Sequence, residues 1–364
     1  MKKWSLVLTT CLLASAAVVF AFAAGGDSGD PLASLSYLNG AYTGVVESKL
    51  EEKLNASDAA LLKNAEGGVL PAGSNAATWT ETRLKAGDQL LGSTGTNVMV
   101  LAGGVEVNFP AGAVIDVSAG AAIASGTALV SNHRYLVAED TSAAFSVTSK
   151  TAVVDYQGGY QFALSSETDY NAIAAALKQL RLFKGSTTGY GQSFDLELAP
   201  TRVQALIMFI RVLGEEEAAL AHTGGTHFTD IAKGSQSEKY VGYAVSRGYT
   251  NGCSPTQFKP NVAVTVNQYM EFMLRALGYS STANTNLSGS LTTALTNGII
   301  TSGEQAMLQA DPFLRADLAY ISYYGLDASL AGSSKTLRDT LIEKNMFTPE
   351  ESAAAAALIT GPRK

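Results

Sequence analysis

Hydrophobic positions fall into three regimes along the chain. Lys2 and Lys3 precede an apolar stretch from Leu6 to Phe22 that is broken only by Thr9, Thr10 and Ser15. Ala21-Phe22-Ala23 then offers a small-x-small site before Ala24, so residues 1–23 read as a cleaved secretory signal peptide. Cys11 comes too early in the run, after the bulky Thr10, to mark a lipoprotein. Residues 24–78 read as a linker and helix. Ala24 to Leu38 is rich in Gly, Asp and Ser, and from Tyr42 to Asn64 helix formers take over, with Leu50 and Leu54 at i,i+4 spacing. This helix either packs on its own chain or forms a short self-associating stalk; it is shorter than the three heptads a coiled coil requires.

From 79 to 160 the period shortens. Asn97–Leu101, Val105–Phe109, Val114–Val117, Tyr135–Val137, Phe145–Thr148 and Val153–Tyr156 are short β-rich runs separated by Gly-, Ala- and Ser-rich turns. Their spacing of roughly 8–12 residues predicts a compact all-β sandwich, roll or barrel. Beyond Asp169 the apolar positions return to helical spacing between Gly/Asn/Pro turns. The fold class expected is therefore multidomain α+β: an N-terminal helix, an all-β domain and a mainly α C-terminal region.

The helical region repeats itself. Phe194, Thr201-Arg202-Val203-Gln204 and Arg211-Val212-Leu213-Gly214 recur 64 residues later as Phe258, Thr265-Val266-Asn267-Gln268 and Arg275-Ala276-Leu277-Gly278. Each Thr followed by Gln three residues on predicts a capping box, and Gly214 and Gly278 suit helix stops. Gly248-Tyr249-Thr250-Asn251-Gly252, after a helix expected over Tyr240 to Ser246, returns in Asn297 to Gly303. Leu314-Arg315-Ala316-Asp317 stands where the other copies have their Thr-led start, although Asp311-Pro312 offers a helix start one turn earlier.

These residues resemble the S-layer homology family, usually found as three tandem copies. Its pattern runs Phe-x-Asp, helix, Gly-Ile-x-x-Gly turn, Phe-x-Pro and a Thr-Arg-Ala-Glu helix start. Phe228-Thr229-Asp230, Gly248 to Gly252 and Phe258-Lys259-Pro260 match it in the middle copy, Thr201-Arg202 in the first and Arg315-Ala316-Asp317 in the third. The resemblance covers residues 165–360, as copies of about 165–214, 226–278 and 287–360. It implies a pseudo-threefold domain whose inter-repeat grooves bind an anionic, pyruvylated secondary cell-wall polysaccharide or a peptidoglycan-linked glycan. The implied binding residues are Thr201, Arg202, Asp230, Tyr249, Gly252, Thr265 and Arg315. Arg202 and Arg315 match the motif arginine, each beside a helix N-terminus whose field favours an anion. Val266 replaces that arginine in the middle copy, Leu164-Ser165-Ser166 replaces the first copy's Phe-x-Asp, and Gln204 and Gln268 replace the motif acid. One or two working grooves are therefore expected.

Composition narrows the partners. Twenty-five basic and 32 acidic residues give a net charge of −7, and loss of Lys2 and Lys3 takes it to −9; this argues against general nucleic-acid binding. Mean hydropathy is +0.11, but the Ala353–Ile359 run is far shorter than the roughly 20 residues of a membrane span. No membrane contact after signal cleavage is expected, and retention at the cell surface would be non-covalent. Removal of Cys11 would leave Cys253 as the sole thiol, read as partly buried. His133, His222 and His227 lack the spacing of a metal site, and no cofactor is expected. Glu215-Glu216-Glu217 reads as a solvated charge run. Asp88, Asp116, Glu139 and Asp140 could supply a carboxylate pair. Tyr156, Tyr160, Tyr190, Tyr240 and Tyr243 read chiefly as packing residues.

Three functions remain open at this level. The first is a secreted, non-enzymatic cell-wall or S-layer protein displaying its β-domain. The second makes the β-domain a carbohydrate-binding module or hydrolase that the repeats deliver. The third is a lattice protein or homo-oligomer built through the N-terminal helix.

Overall fold

The computed structural model describes residues 74–364, apart from 139, 187, 280–288 and 311. The signal segment, the helix expected over Tyr42–Asn64, Glu139 and Asp311 lie outside the described residues.

Residues 74–163 form one ten-stranded antiparallel sheet wrapped around its own core, in the order β6-β5-β8-β3-β10-β2-β9-β4-β7, with β1 also pairing β10. The strands are β1 Ser74–Lys85, β2 Gln89–Gly92, β3 Asn97–Ala102, β4 Val105–Asn108, β5 Val114–Asp116, β6 Ala121–Ile123, β7 Thr127–Ala128, β8 Arg134–Val137, β9 Ala143–Val147 and β10 Thr151–Ala163. Alternation places Val98, Val100, Val105, Val107, Phe145 and Val154 inside. The all-β expectation matches this region. The linker expectation for residues up to 78 does not, because β1 already begins at Ser74. Its sequence, Ser-Asn-Ala-Ala-Thr-Trp-Thr-Glu-Thr-Arg-Leu-Lys, is polar and mostly exposed, so no apolar run announces it.

Strand β10 organises the sheet. It pairs β3 over Val153–Gln157 and β2 over Tyr160–Ala163. The change of partner falls at Gly158, where φ is +105° and a Cβ would meet Thr96 Cα at 2.9 Å. Only glycine fits both the backbone conformation and the close approach.

The helical region contains α1 Tyr170–Gln179, α2 Arg202–Val212, α3 Glu216–Leu220, α4 Gln236–Ser246, α5 Val266–Leu277, α6 Ser290–Thr296, α7 Ser302–Ala310, α8 Arg315–Tyr324, α9 Leu337–Glu343 and α10 Pro349–Ala357. Asp169 caps α1 by accepting from the Asn171 and Ala172 amides. Thr201 and Thr265 complete the expected capping boxes with Gln204 and Gln268. The third equivalent helix starts at Arg315, in step with the other two and not a turn earlier. Leu314 has no side-chain acceptor, but its N–H donates to Asp317 Oδ2 at 2.9 Å, preserving half of the box. Ile173, Leu177, Phe209, Tyr240, Tyr269 and Leu326 meet in the buried core.

The two regions are joined by buried polar contacts. Arg83 of β1 donates to Asn171 Oδ1 (2.7 Å), the Gly191 carbonyl (2.8 Å) and Glu197 Oε1 (2.6 Å). Its guanidinium also sits over the Phe194 ring. Thr151 donates to the same Glu197 oxygen, and Lys150 Nζ reaches both oxygens of Asp317 at 2.8 and 2.9 Å. The β-domain is thereby fastened to the start of α8 and to the segment leading into α2.

Glu215 and Glu216 are not a solvated charge run. Glu216 accepts from Lys184, Arg211 and Tyr240, while Glu215 accepts from Tyr243 and Tyr249. Burial raises the Glu216 pKa, but the hydrogen bonds from Lys184, Arg211 and Tyr240 outweigh it and hold the value at about 2. A folded-state value below the ordinary 4.5 stabilises the fold above pH 4.5, and that stability is lost as pH falls toward 2. Glu216→Gln is expected to cost about 1–2 kcal/mol at neutral pH, after discounting for the solvent-facing edge of the network. Thermal melts from pH 7 to pH 2 check this: the gap between wild type and variant should close in acid.

Candidate functional site

The chemistry that recurs in the helical region lies where the start of one helix meets the loop of another copy. At the first junction, the Arg202 N–H donates to the Val262 carbonyl (2.9 Å) and the Val203 N–H to Pro260 (3.1 Å). The Arg202 side chain donates from Nε to the Phe258 carbonyl at 2.8 Å. At the second, the Arg315 N–H donates to Leu198, the Ala316 N–H to Leu196 and Arg315 Nε to Phe194. Leu196, Leu198 and Phe194 each precede their counterparts by the same 64 residues, so the two junctions are one device used twice. The middle copy has Val266 in place of an arginine at α5.

This geometry corrects the expected exposure of the arginines. Arg202 is 3% exposed and Arg315 8%. The Arg202 guanidinium lies 4.7 Å from the Phe258 ring centroid and 5.7 Å from Phe272; Arg315 lies 5.5 Å from Phe183. The helix-terminus argument changes too. At both helix starts the first two amides already donate to loop carbonyls, and at α2 the third donates to Thr201 Oγ1. Any anion must therefore be held by guanidinium and not by free backbone donors.

No carboxylate among the described residues makes an ion pair with Arg202 or Arg315. Burial lowers the Arg202 pKa, the nearby Arg275 charge lowers it further, and Asp230 offsets part of this. Arg315 is lowered by burial and by Arg211, against Asp195 and Glu197. Arg211 and Arg275 are again 64 residues apart, so each junction brings together a motif arginine and the arginine ending another copy's helix. Arg275 is paired with Glu271 at 2.8 Å and Arg211 with Glu216 at 2.8 Å. The motif arginines are left as desolvated cations facing aromatic rings, an arrangement that favours an incoming anion.

Asp230 shapes the first junction. Its two oxygens accept from the Phe258 and Lys259 amides at 2.9 and 2.7 Å, holding Lys259 at φ +59°. Burial raises the Asp230 pKa, but these amide bonds and the Arg202 charge bring it below the usual carboxylate range. Asp230 thus positions the loop that receives Arg202. In the first copy Asp195 adopts the equivalent left-handed conformation, at φ +50°, and accepts from Thr188. Gly252 has φ +77°, and a Cβ there would lie 2.4 Å from the Phe228 ring, so its role is to let the turn pass close to that ring.

Tyr249 does not supply an open stacking surface. It is 7% exposed, packs edge-on to Phe209 and donates to Glu215 Oε2 at 2.8 Å. Thr201 and Thr265 are occupied as helix caps. Cys253, read as partly buried, is exposed, and its Sγ lies 3.4 Å from the Phe258 carbonyl that Arg202 also uses. Val262 at the loop edge is 54% exposed, and its counterpart Leu198 47%. The first junction therefore opens beside Cys253 and Val262. The second carries the β-domain, through Lys150 on Asp317 and Thr151 on Glu197. Asp88 and Asp116 form no catalytic pair with each other: Asp88 binds Lys85 and the Ser165 amide, and Asp116 binds His133.

Residues 227–265 match the S-layer homology domain family. No curated protein matches the chain. The matched segment contains Asp230, Tyr249, Gly252, Cys253 and the Phe258-Lys259-Pro260 loop, which is the receiving half of the Arg202 junction. A domain of this kind implies association with the cell wall or cell surface. No helix among the described residues is long and apolar enough to cross a membrane.

Proposed function

We propose that this is a secreted, non-enzymatic surface protein that holds an anionic cell-wall polysaccharide at the Arg202 junction and so anchors its β-domain to the wall. The observation that carries this reading is the buried Arg202 guanidinium. It has no carboxylate partner among the described residues and lies at a junction whose receiving half matches the S-layer homology family. A polymer carboxylate there would gain charge-assisted hydrogen bonds in a low-dielectric setting. Arg315 has the same local chemistry, but its junction is engaged by the β-domain, so the Arg202 junction is the principal groove. The three-copy organisation suggested by the sequence fits this reading, with the Val266 junction lacking the cation.

Cys253 provides a local reporter. Polymer seated at the Arg202 junction is expected to slow modification of Cys253 by a small neutral thiol reagent by about tenfold, as local shielding of an exposed thiol requires. The measurement uses a chain beginning at residue 24, with purified anionic wall polymer added. Unchanged labelling at saturating polymer would place binding elsewhere.

A further inference from the structure

A cleft of about 330 Å³ lies between the β-domain and the loop entering α2. It reaches the lower end of the size range of small-molecule sites. Leu101, Leu198 and Leu314 give it an apolar wall, and Ser131, Tyr190 and Glu197 give it a polar one. The Glu197 side chain is 94% buried, since only 6% of it is exposed. Its Oε1 accepts from Arg83 and Thr151, whereas its buried Oε2 has no hydrogen-bond partner. A carboxylate oxygen left without a donor is costly. The terminal carboxylate torsion is soft, so Oε2 can turn toward a donor entering the cleft.

The charges of the wall select among donors. Glu197 is already neutralised by Arg83 at 2.6 Å, and Lys150, which also lines the cleft, by Asp317 at 2.8 Å. A cation would meet no net negative charge, and an anion would face the Glu197 oxygen. A neutral hydroxyl group satisfies Oε2 without adding charge. The leucine wall complements the C–H face of a ring that carries such hydroxyls. We propose that this interdomain cleft binds a neutral saccharide unit, with Glu197 Oε2 accepting a sugar hydroxyl and Leu198 and Leu314 covering the ring face. The site is separate from the Arg202 junction and does not depend on anion binding there.

Saturation-transfer difference NMR with N-acetylglucosamine as probe, on the chain beginning at residue 24, tests this. Wild type is expected to show saturation transfer, with millimolar affinity. Ser131→Trp fills the exposed rim and should weaken binding by about tenfold or more, with an unchanged melting temperature; Glu197→Gln should also weaken it, as loss of a charge-assisted hydrogen bond predicts. Arg202→Ala should leave sugar binding intact. Absence of transfer in wild type, undiminished binding by Ser131→Trp, or loss of binding on Arg202→Ala would each overturn the proposal. Unfolding of Glu197→Gln leaves Ser131→Trp as the deciding variant.

Discussion

Arg83→Met is expected to destabilise the protein by about 3–5 kcal/mol, a fall of roughly 10 °C in melting temperature, the cost of stranding one member of a buried ion pair. Arg83 is the hub between the β-domain and the helices. Its guanidinium satisfies Asn171, the Gly191 carbonyl and Glu197 at once and lies over Phe194. Burial lowers its pKa, and the Glu197 charge offsets that effect. Methionine keeps most of the volume but leaves the Glu197 carboxylate with Thr151 and no cation. Replacing both partners, Arg83→Met with Glu197→Gln, is expected to recover part of the loss because the buried charge goes with its partner. Differential scanning calorimetry of the two variants checks this. A single variant as stable as wild type would show that the docking rests on other contacts.

What the sequence made legible follows from how local each interaction is. The capping boxes of Thr201 and Thr265 are i,i+3 relationships, so the residues that form them sit side by side in the chain and could be read directly. The β-domain was legible where strands alternate, as in Val105-Glu106-Val107, and illegible at β1, where Thr, Glu and Arg carry a strand through pairing with β10 alone.

The candidate site was half legible. The motif arginines and Asp230 could be picked out by spacing, but their surroundings are set by partners far along the chain. Arg202 meets Phe258, 56 residues away, and Arg315 meets Phe194, 121 residues away. No local pattern reveals that these side chains run inward over aromatic rings. Glu215 and Glu216 misled for the same reason, because Tyr243, Tyr249, Lys184 and Tyr240 reach them from other elements. Lys150 and Glu197 carried no sequence signal at all. Arg211 and Arg275 did: they occupy equivalent places in the 64-residue repeat, and that equivalence is the clue to their shared position beside the motif arginines.

Arg202→Met carries the largest functional effect expected. It removes the desolvated cation from the open junction while retaining an unbranched side chain between Phe258 and Phe272, so the fold should persist with a small change in stability. Loss of a charge-assisted contact to a buried anion corresponds to about 2–5 kcal/mol, or a fall in affinity of at least tenfold. Arg202→Lys should recover only part of it, since an ammonium cannot reproduce the planar fork that donates to Phe258 and presents its remaining N–H groups. Arg315→Met should weaken polymer binding far less, because its junction is engaged by the β-domain through Lys150 and Asp317.

The deciding measurement is co-sedimentation of the chain beginning at residue 24 with wall sacculi that carry the anionic polymer, comparing wild type with Arg202→Met at matched folded fraction. Wild type should sediment with the walls and be released from walls stripped of the polymer, and Arg202→Met should remain in solution. Undiminished sedimentation of Arg202→Met, or equal sedimentation of wild type with stripped walls, would contradict the account.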